Sequence, residues 1–464
     1  MKTVRIIVII LFTGINVIAQ NFDVDTLLYN GNLDKHINFV ILGDGYTGSE
    51  LSKFVVDAAN FTSAFFNEIP YSNYKNYFNV FIIKVPSNES GASHPGTATD
   101  EDEPVFPVIN VDNYFGSTFD SYGIHRLLVA TKTLVISNVL ASNFPKYDQV
   151  LILVSSPYYG GSGGYYPVAS TYTGSAQIAI HEFGHSFAGL ADEYWAGDNY
   201  AREAYNMTQQ IDPILVKWKN WIGINSIGIY PHCCGAIAGR WYKPHLNCKM
   251  QYLLDTHFCS VCTEATIEKI HFLVTPIEFY YPIESKLSPT VYPLKFKLNL
   301  ITPVPNTLKI NWLLAGTSLK QNIDSVLINE NNLLTGNNTL QASIEDTSQL
   351  LRVDNHNTIH ISLITWTIDK TITGINEITN SSSELIIDLF PNPTSEFINL
   401  KIQGVTKGAI KFELYDLQGK RIKASRLYND IVNTINLNNL AQGVYSAKIF
   451  IDDNLIISKK IIRN

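Results

Sequence analysis

Apolar and polar residues along this chain follow two regimes that meet near residue 275. Upstream, buried-type apolar runs alternate with segments of helical period. His36 to Leu42 reads as a buried strand closed by Gly43-Asp44-Gly45, and Thr47 and Glu50 stand at capping-box spacing before a helical run from Leu51 to Phe66. Tyr77 to Val85, rich in aromatic and β-branched residues, predicts a second strand. Phe119 to Asn138 predicts a largely helical stretch, and Gln149 to Ser155 a third strand with a continuous apolar core. Strands alternating with helices predict an α/β domain over residues 31–275, with a central, mostly parallel sheet. Downstream, Leu294, Phe296, Leu298 and Leu300 alternate with polar or charged neighbours, as do Leu308, Ile310 and Trp312, and later Ile359, Ile361 and Leu363. Period two without helical stretches predicts an antiparallel, Ig-like β-sandwich over 276–370. The polar, Ser-rich stretch 371–384 predicts a linker, and 385–464 a further small all-β unit.

Composition and charge narrow the class. A length of 464 residues predicts several domains, and 45% apolar against 16% charged residues supplies material for their cores. The formal net charge of -7 excludes a nucleic-acid footprint, which needs a basic face. Lys2 and Arg5, the apolar run Ile6 to Phe12, and Val17-Ile18-Ala19 before Gln20 have the layout of a secretory signal peptide over 1–19. No other segment is long and apolar enough to cross a bilayer, so the mature chain is expected to carry no transmembrane segment. All five cysteines fall between Cys233 and Cys262. In an exported chain they read first as disulfides. A second zinc site built on Cys259 and Cys262 with His232, Cys233 or His257, or reduced buried thiols, are the alternatives.

The chemistry concentrates in His181-Glu182-Phe183-Gly184-His185, followed by Gly189-Leu190-Ala191-Asp192. HExxH on a helix sets two imidazoles four residues apart on one face, where both can reach one Zn²⁺ ion. The intervening Glu182 stands beside the open coordination position and can take a proton from a metal-activated water. Ser175 is the expected N-cap of this helix, and its span is Ala176 to Ala188. Gly189 ends it and allows positive φ, so the chain can swing back to the metal. Metzincin-type peptidases, which this stretch resembles, place the third ligand three residues after such a glycine. Gly189 comes one residue late but keeps that spacing. That makes Asp192 the favoured third ligand, with Glu193 the competing candidate and a more distant Glu or His the remaining alternative. The glycine-rich segment Tyr159 to Gly164 lacks the Lys-Ser/Thr of a phosphate loop and reads as a rim of the substrate cleft. The acidic run Asp100 to Glu103 reads as a solvated loop, with a Ca²⁺ site as a minority reading that nothing else in the sequence supports. His94, His125 and His245 have no ligand-like spacing and read as structural or surface groups.

The stretch His181 to Tyr194 resembles the signature of the IgA-peptidase family of zinc metallopeptidases. Further matching residues are Phe39 to Thr47, Tyr77 to Val80, Lys84 to Ser87 with Glu89 to Gly91, and Tyr122 to Ile124 with Arg126 to Leu128. Trp241, Tyr242 and Pro244, then Cys248 with Met250, and Phe258, Cys259, Val261 and Cys262 extend the likeness towards residue 270. The resemblance implies a metzincin-like α/β catalytic domain and a zinc endopeptidase acting on protein or peptide substrates. It does not imply immunoglobulin A as substrate. It also implies that Met250 forms an apolar floor beneath the zinc-binding histidines, and that Tyr252 stabilises the oxyanion.

The chain's end has its own signature. Phe390-Pro391-Asn392-Pro393, Leu414 to Gly419, Leu440 to Tyr445 and Lys459 to Ile462, in that order, resemble the C-terminal sorting domain of the type IX secretion system of Bacteroidetes-type bacteria. The resemblance implies the type IX machinery as a partner and export across the outer membrane, to the surface or the medium. The expected function is therefore secreted, zinc-dependent endopeptidase activity. The rival expectation is a catalytically inactive surface adhesin or glycan-binding protein.

Overall fold

The computed structural model describes residues 21–100, 108–233, 237–253, 257–354, 356–370, 386–403, 408–429, 431–452 and 454–464. The signal peptide expected over 1–19 and the linker expected over 371–384 lie outside the described residues. The chain divides into two compact units at residues 372 and 373, and strands in several sheets dominate both.

The first unit is organised by a six-stranded sheet. In chain order its members are β1 (Asp23–Leu28), β2 (Ile37–Asp44), β3 (Phe78–Lys84), β6 (Gln149–Val154), β7 (Gly161–Ser162) and β8 (Val168–Ser170); in space they run β1-β3-β2-β6-β8-β7. The four central strands are parallel, with β1 and β7 antiparallel at the two edges. β2 and β6 are buried along their whole length, as a parallel sheet covered on both faces requires. Alternation divides their side chains between two cores. Ile37, Phe39 and Ile41 join the face that carries α1 (Leu51–Phe65), α3 (Ser175–Ala188) and α4 (Ser260–Leu273). Val40 and Leu42 join Ile136 and Leu140 of α2 (Thr133–Asn143) on the other. The capping box before α1 forms as its spacing predicts, with the Thr47 N–H donating to Glu50 Oε2 at 2.9 Å.

One expected helix is displaced. Phe119 to Asn138 is not largely helical: β4 (Ser117–Thr118) and β5 (Val129–Ala130) pair as a short ribbon around a turn, and α2 starts only at Thr133. Asp120 and Tyr122 both have positive φ (59° and 55°), as does Gly123, and three such residues in four cannot continue a right-handed helix. The apolar spacing there serves the ribbon and the loop beneath it.

The same unit continues into two facing sheets. Ile277–Tyr281, Leu294–Leu300 and Ser325–Ile328 form one; Lys286–Leu287, Ile361–Lys370, Gly336–Asp346, Leu308–Leu314 and Thr317–Gln321 form the other. Inward residues of both sheets share a core in which the Trp312 and Trp366 rings stack at 5.8 Å. Asp346, 1% exposed, joins these sheets to the first part of the unit: it accepts from Tyr74 Oη at 2.6 Å and Thr307 Oγ1 at 2.6 Å, and lies 3.0 Å from His271 Nε2.

The second unit is also all β. Ile386–Phe390, Phe397–Gln403 and Val432–Asn436 form a three-stranded sheet, and Arg421–Leu427, Ile410–Tyr415, Gly443–Ile451 and Asn454–Arg463 a four-stranded one. Leu400, Phe412, Leu414, Ala447 and Ile449 are among the fully buried residues of its core.

Candidate metal centre

α3 runs against α1, α4, β7 and β8. Its inward face is anchored by Phe183, whose ring lies 5.1 Å from Phe39 and 4.9 Å from Phe65. Gly174, with φ 95°, is the N-cap rather than the expected Ser175, which is the first helical residue and donates its hydroxyl to Tyr172 O. At the other end Gly189 adopts φ 66°, and the N–H groups of Gly189 and Leu190 turn back to the carbonyls of His185 and Gly184. That reversal carries Asp192 back over the helix.

His181, His185 and Asp192 converge there. Asp192 Oδ1 is 3.1 Å from His181 Nε2 and 3.1 Å from His185 Nε2, and the two Nε2 atoms are 3.2 Å apart. Metal bonds of ~2.0–2.1 Å in tetrahedral geometry separate neighbouring ligand atoms by ~3.3 Å, so this triangle has the size of one face of a zinc coordination shell. The far ring nitrogens are spoken for: His181 Nδ1 donates to Lys249 O at 2.9 Å, and His185 Nδ1 to Leu190 O at 2.7 Å. Those bonds keep a ring proton on each Nδ1, so that when a cation replaces the proton His185 shares with Asp192, both Nε2 lone pairs face it. Two such lone pairs and a carboxylate oxygen, aimed at one another, fit a divalent cation.

The electrostatics follow from the same geometry. Burial pulls the His185 imidazole down, but Asp192 outweighs it and holds the group up at about 9. Burial opposes ionisation of Asp192, yet the hydrogen bonds from both imidazoles keep its carboxyl well below the usual range. Burial pushes the Glu182 carboxyl upward; the two histidines pull it back, and Asp192 adds to the rise. Gly163, on the glycine-rich segment beside β7, closes over this carboxylate: a β-carbon there would stand 2.6 Å from Glu182 Oε2. The glycine-rich stretch thus borders the site.

Met250, fully buried, lies beneath α3, where a β-carbon on Gly184 would meet its Sδ at 2.9 Å. Tyr252, two residues on, is 51% exposed. Tyr194 was not anticipated. Its ring stacks on His181 at 6.4 Å, and partial burial followed by the charges of Asp192 and Glu182 raises its hydroxyl far above the usual range. Its place two residues after Asp192 was the available signal.

Glu193 goes elsewhere. Fully buried, it accepts from Asn206 Nδ2 at 3.1 Å and lies among Cys248, Cys259 and Cys262. The disulfides expected first are not formed among Cys248, Cys259 and Cys262, which are free thiols. The other partners considered for Cys259 and Cys262 are placed differently. His257 pairs with Glu68 at 2.8 Å, the His232 ring lies against Trp195 at 5.9 Å, and Cys233 is exposed. His94 and His125, far apart in sequence, are both buried beside Asp120, at 3.6 and 3.3 Å from its Oδ1. Of the acidic run read as a solvated loop or Ca²⁺ site, residues 101–103 lie outside the described residues.

A helix-borne His pair with an intervening Glu and a returning carboxylate is a donor set that fits a metal ion. Comparison with known families agrees: residues 26–227 match the family described as IgA Peptidase M64, a metallopeptidase family, and residues 388–464 match the Secretion system C-terminal sorting domain. Residues 26–227 are thus similar to M64 peptidases, and the type IX sorting domain at the chain's end directs export to the cell surface or beyond. No described helix is long and apolar enough to cross a membrane. Comparison with curated proteins finds no match. Among solved structures, dimeric latent PorU from Porphyromonas gingivalis aligns at 13% identity over 40% of this chain and 19% of its own, with a TM-score of 0.21. A β-glucuronidase from Parabacteroides merdae aligns at 8% identity over 48% of this chain and 28% of its own, with a TM-score of 0.17. The chain thus spans less than a third of either protein, and likeness at these scores carries no functional weight.

Proposed function

We propose that this protein is an exported zinc endopeptidase with a metzincin-like catalytic domain over 31–275. The β-sandwich over 276–370 follows it, and the sorting domain occupies 385–464. The observation that carries the reading is the convergence of His181 Nε2, His185 Nε2 and Asp192 Oδ1 at 3.1–3.2 Å, with both Nδ1 atoms engaged by backbone carbonyls. These three residues would hold Zn²⁺, which when bound supplies a Lewis acid and lowers the pKa of a water at the open position. Asp192 is preferred to Glu193 as third ligand because Glu193 is turned into the thiol cluster.

Glu182 acts as the general base. Its burial raises the carboxyl towards the range in which it accepts a proton from the attacking water and returns it to the leaving amine. His181 and His185, oriented by Lys249 O and Leu190 O, keep their Nε2 atoms directed at the reacting centre. Beside Tyr252, expected in the oxyanion role, Tyr194 is a second candidate, because its ring stacks on His181 at 6.4 Å. Glu182→Gln tests the assignment: it should keep the fold and bound zinc while losing nearly all cleavage of an unfolded protein substrate. Normal cleavage by that variant would sink the reading.

A further inference from the structure

A second set of donors lies on the far side of the Asp192 turn. Cys248, Cys262 and Glu193 are fully buried and Cys259 nearly so, and one donor atom from each lies within 4.8 Å of all the others. Cys248 Sγ is 3.7 Å from Cys262 Sγ; Glu193 Oε1 is 3.2 Å from Cys262 Sγ and 3.9 Å from Cys259 Sγ. Glu193 Oε2 is buried with no hydrogen-bond partner among the described residues. Zinc bonds of ~2.3 Å to sulfur and ~2.0–2.2 Å to oxygen in tetrahedral geometry imply S···S near ~3.8 Å and S···O near ~3.5 Å. The S···S separation is close to its value, and the two S···O separations lie on either side of theirs. A disulfide needs its sulfurs at ~2.05 Å, and would occupy two of the four groups while leaving a thiol and a carboxylate buried together.

We infer that Glu193, Cys248, Cys259 and Cys262 form a second, structural metal site for Zn²⁺, separate from the His181/His185/Asp192 centre. The surroundings suit thiolates. Cys259 is the N-cap of α4 and Cys262 lies in its first turn, where the helix dipole favours negative charge. The Cys259 N–H points at Cys248 Sγ at 3.3 Å, and the buried Lys243 ammonium donates to Glu193 O at 2.6 Å. Binding displaces the thiol protons and involves no redox step.

The site has a structural consequence for the first centre. Glu193 follows Asp192 directly, and its N–H donates to Met250 O at 2.7 Å. Cys248 precedes Lys249, whose carbonyl orients His181. One ion would therefore pin together the turn that carries Asp192, the turn beneath α3 and the start of α4. The inference stands whether or not the first centre is catalytic.

Metal analysis of the full chain, purified without chelator, tests it. Two zinc ions per chain are expected, falling to one in His185→Ala and to one in the double variant Cys259→Ser/Cys262→Ser. Because the double variant can fail to fold, a second measurement uses cobalt exchanged into His185→Ala. A sulfur-to-cobalt charge-transfer band supports the thiolate site. Absence of that band, or a Cys248–Cys262 disulfide found by mass spectrometry of the native protein, overturns it. One ion with the thiolate band would sink the catalytic-zinc reading and leave this one; one ion without it would do the reverse.

Discussion

Gly184 sits between the two histidines of α3, and replacing it with alanine sets two known effects against each other. Helix propensity favours the change: in a helix interior, Ala is better than Gly by about 1 kcal/mol. Packing opposes it. The new β-carbon would lie 2.9 Å from Met250 Sδ, 3.3 Å from Phe258 Cε1 and 3.4 Å from Leu190 Cδ1. Favourable carbon contacts are ~3.5–4.0 Å, and all three neighbours are buried, so none can swing into solvent. Overpacking of this kind costs about 1–3 kcal/mol, which leaves a net loss of about 1 kcal/mol in urea unfolding of the metal-saturated protein. Activity should suffer far more. Relief requires Met250 or α3 to move, and the residue before Met250 supplies the carbonyl that orients His181. A displacement approaching 1 Å at a reacting group costs on the order of 10²-fold in rate, so kcat/KM should fall by about that factor while stability falls by only about 1 kcal/mol. A variant that gains about 1 kcal/mol and keeps full activity would refute the close packing of Met250 beneath the metal-binding helix.

Asp192→Asn should weaken catalytic metal binding by more than the ~10–100-fold typical of second-shell changes, read by competition with a chromogenic chelator. An unchanged affinity would move the third ligand elsewhere. Tyr194→Phe should lower kcat on the order of 10²-fold with little change in KM if its hydroxyl stabilises the oxyanion; Tyr252→Phe in the same assay should have the smaller effect. Asp346 governs acid stability: burial raises its carboxyl, but His271, Thr307 and Tyr74 outweigh that and bring it down to about 2. A depressed carboxyl stabilises the fold above its unfolded value of ~3.9, and that contribution, about 2–3 kcal/mol, is lost as pH falls from about 4 through about 2. Asp346→Asn should therefore be less stable at neutral pH and lose the step in stability across that window, as followed by urea midpoints.

What the sequence disclosed and what it concealed divide along a physical line. The HExxH pair, the Gly189 reversal and the alternation of the sandwich strands depend on periods and on one conformational rule each, so they were legible in residue order. The ribbon at 117–130 was not, because it depends on positive φ at Asp120 and Tyr122, positions where the residue type permits other conformations. The cysteines were legible as a group but not in their role, since their fourth partner is a carboxylate on a different chain segment, brought to them only by the tertiary fold. Tyr194 was overlooked for the same reason: a ring against His181 is set by how the chain leaves Asp192, which spacing alone does not specify. Distance from Gly189 favoured Asp192, yet ligand type left the adjacent Glu193 as a rival for the same metal. Their side chains diverge on leaving the turn. Asp192 meets two imidazoles and Glu193 meets three thiols, so the local ambiguity is a consequence of two clusters sharing one turn.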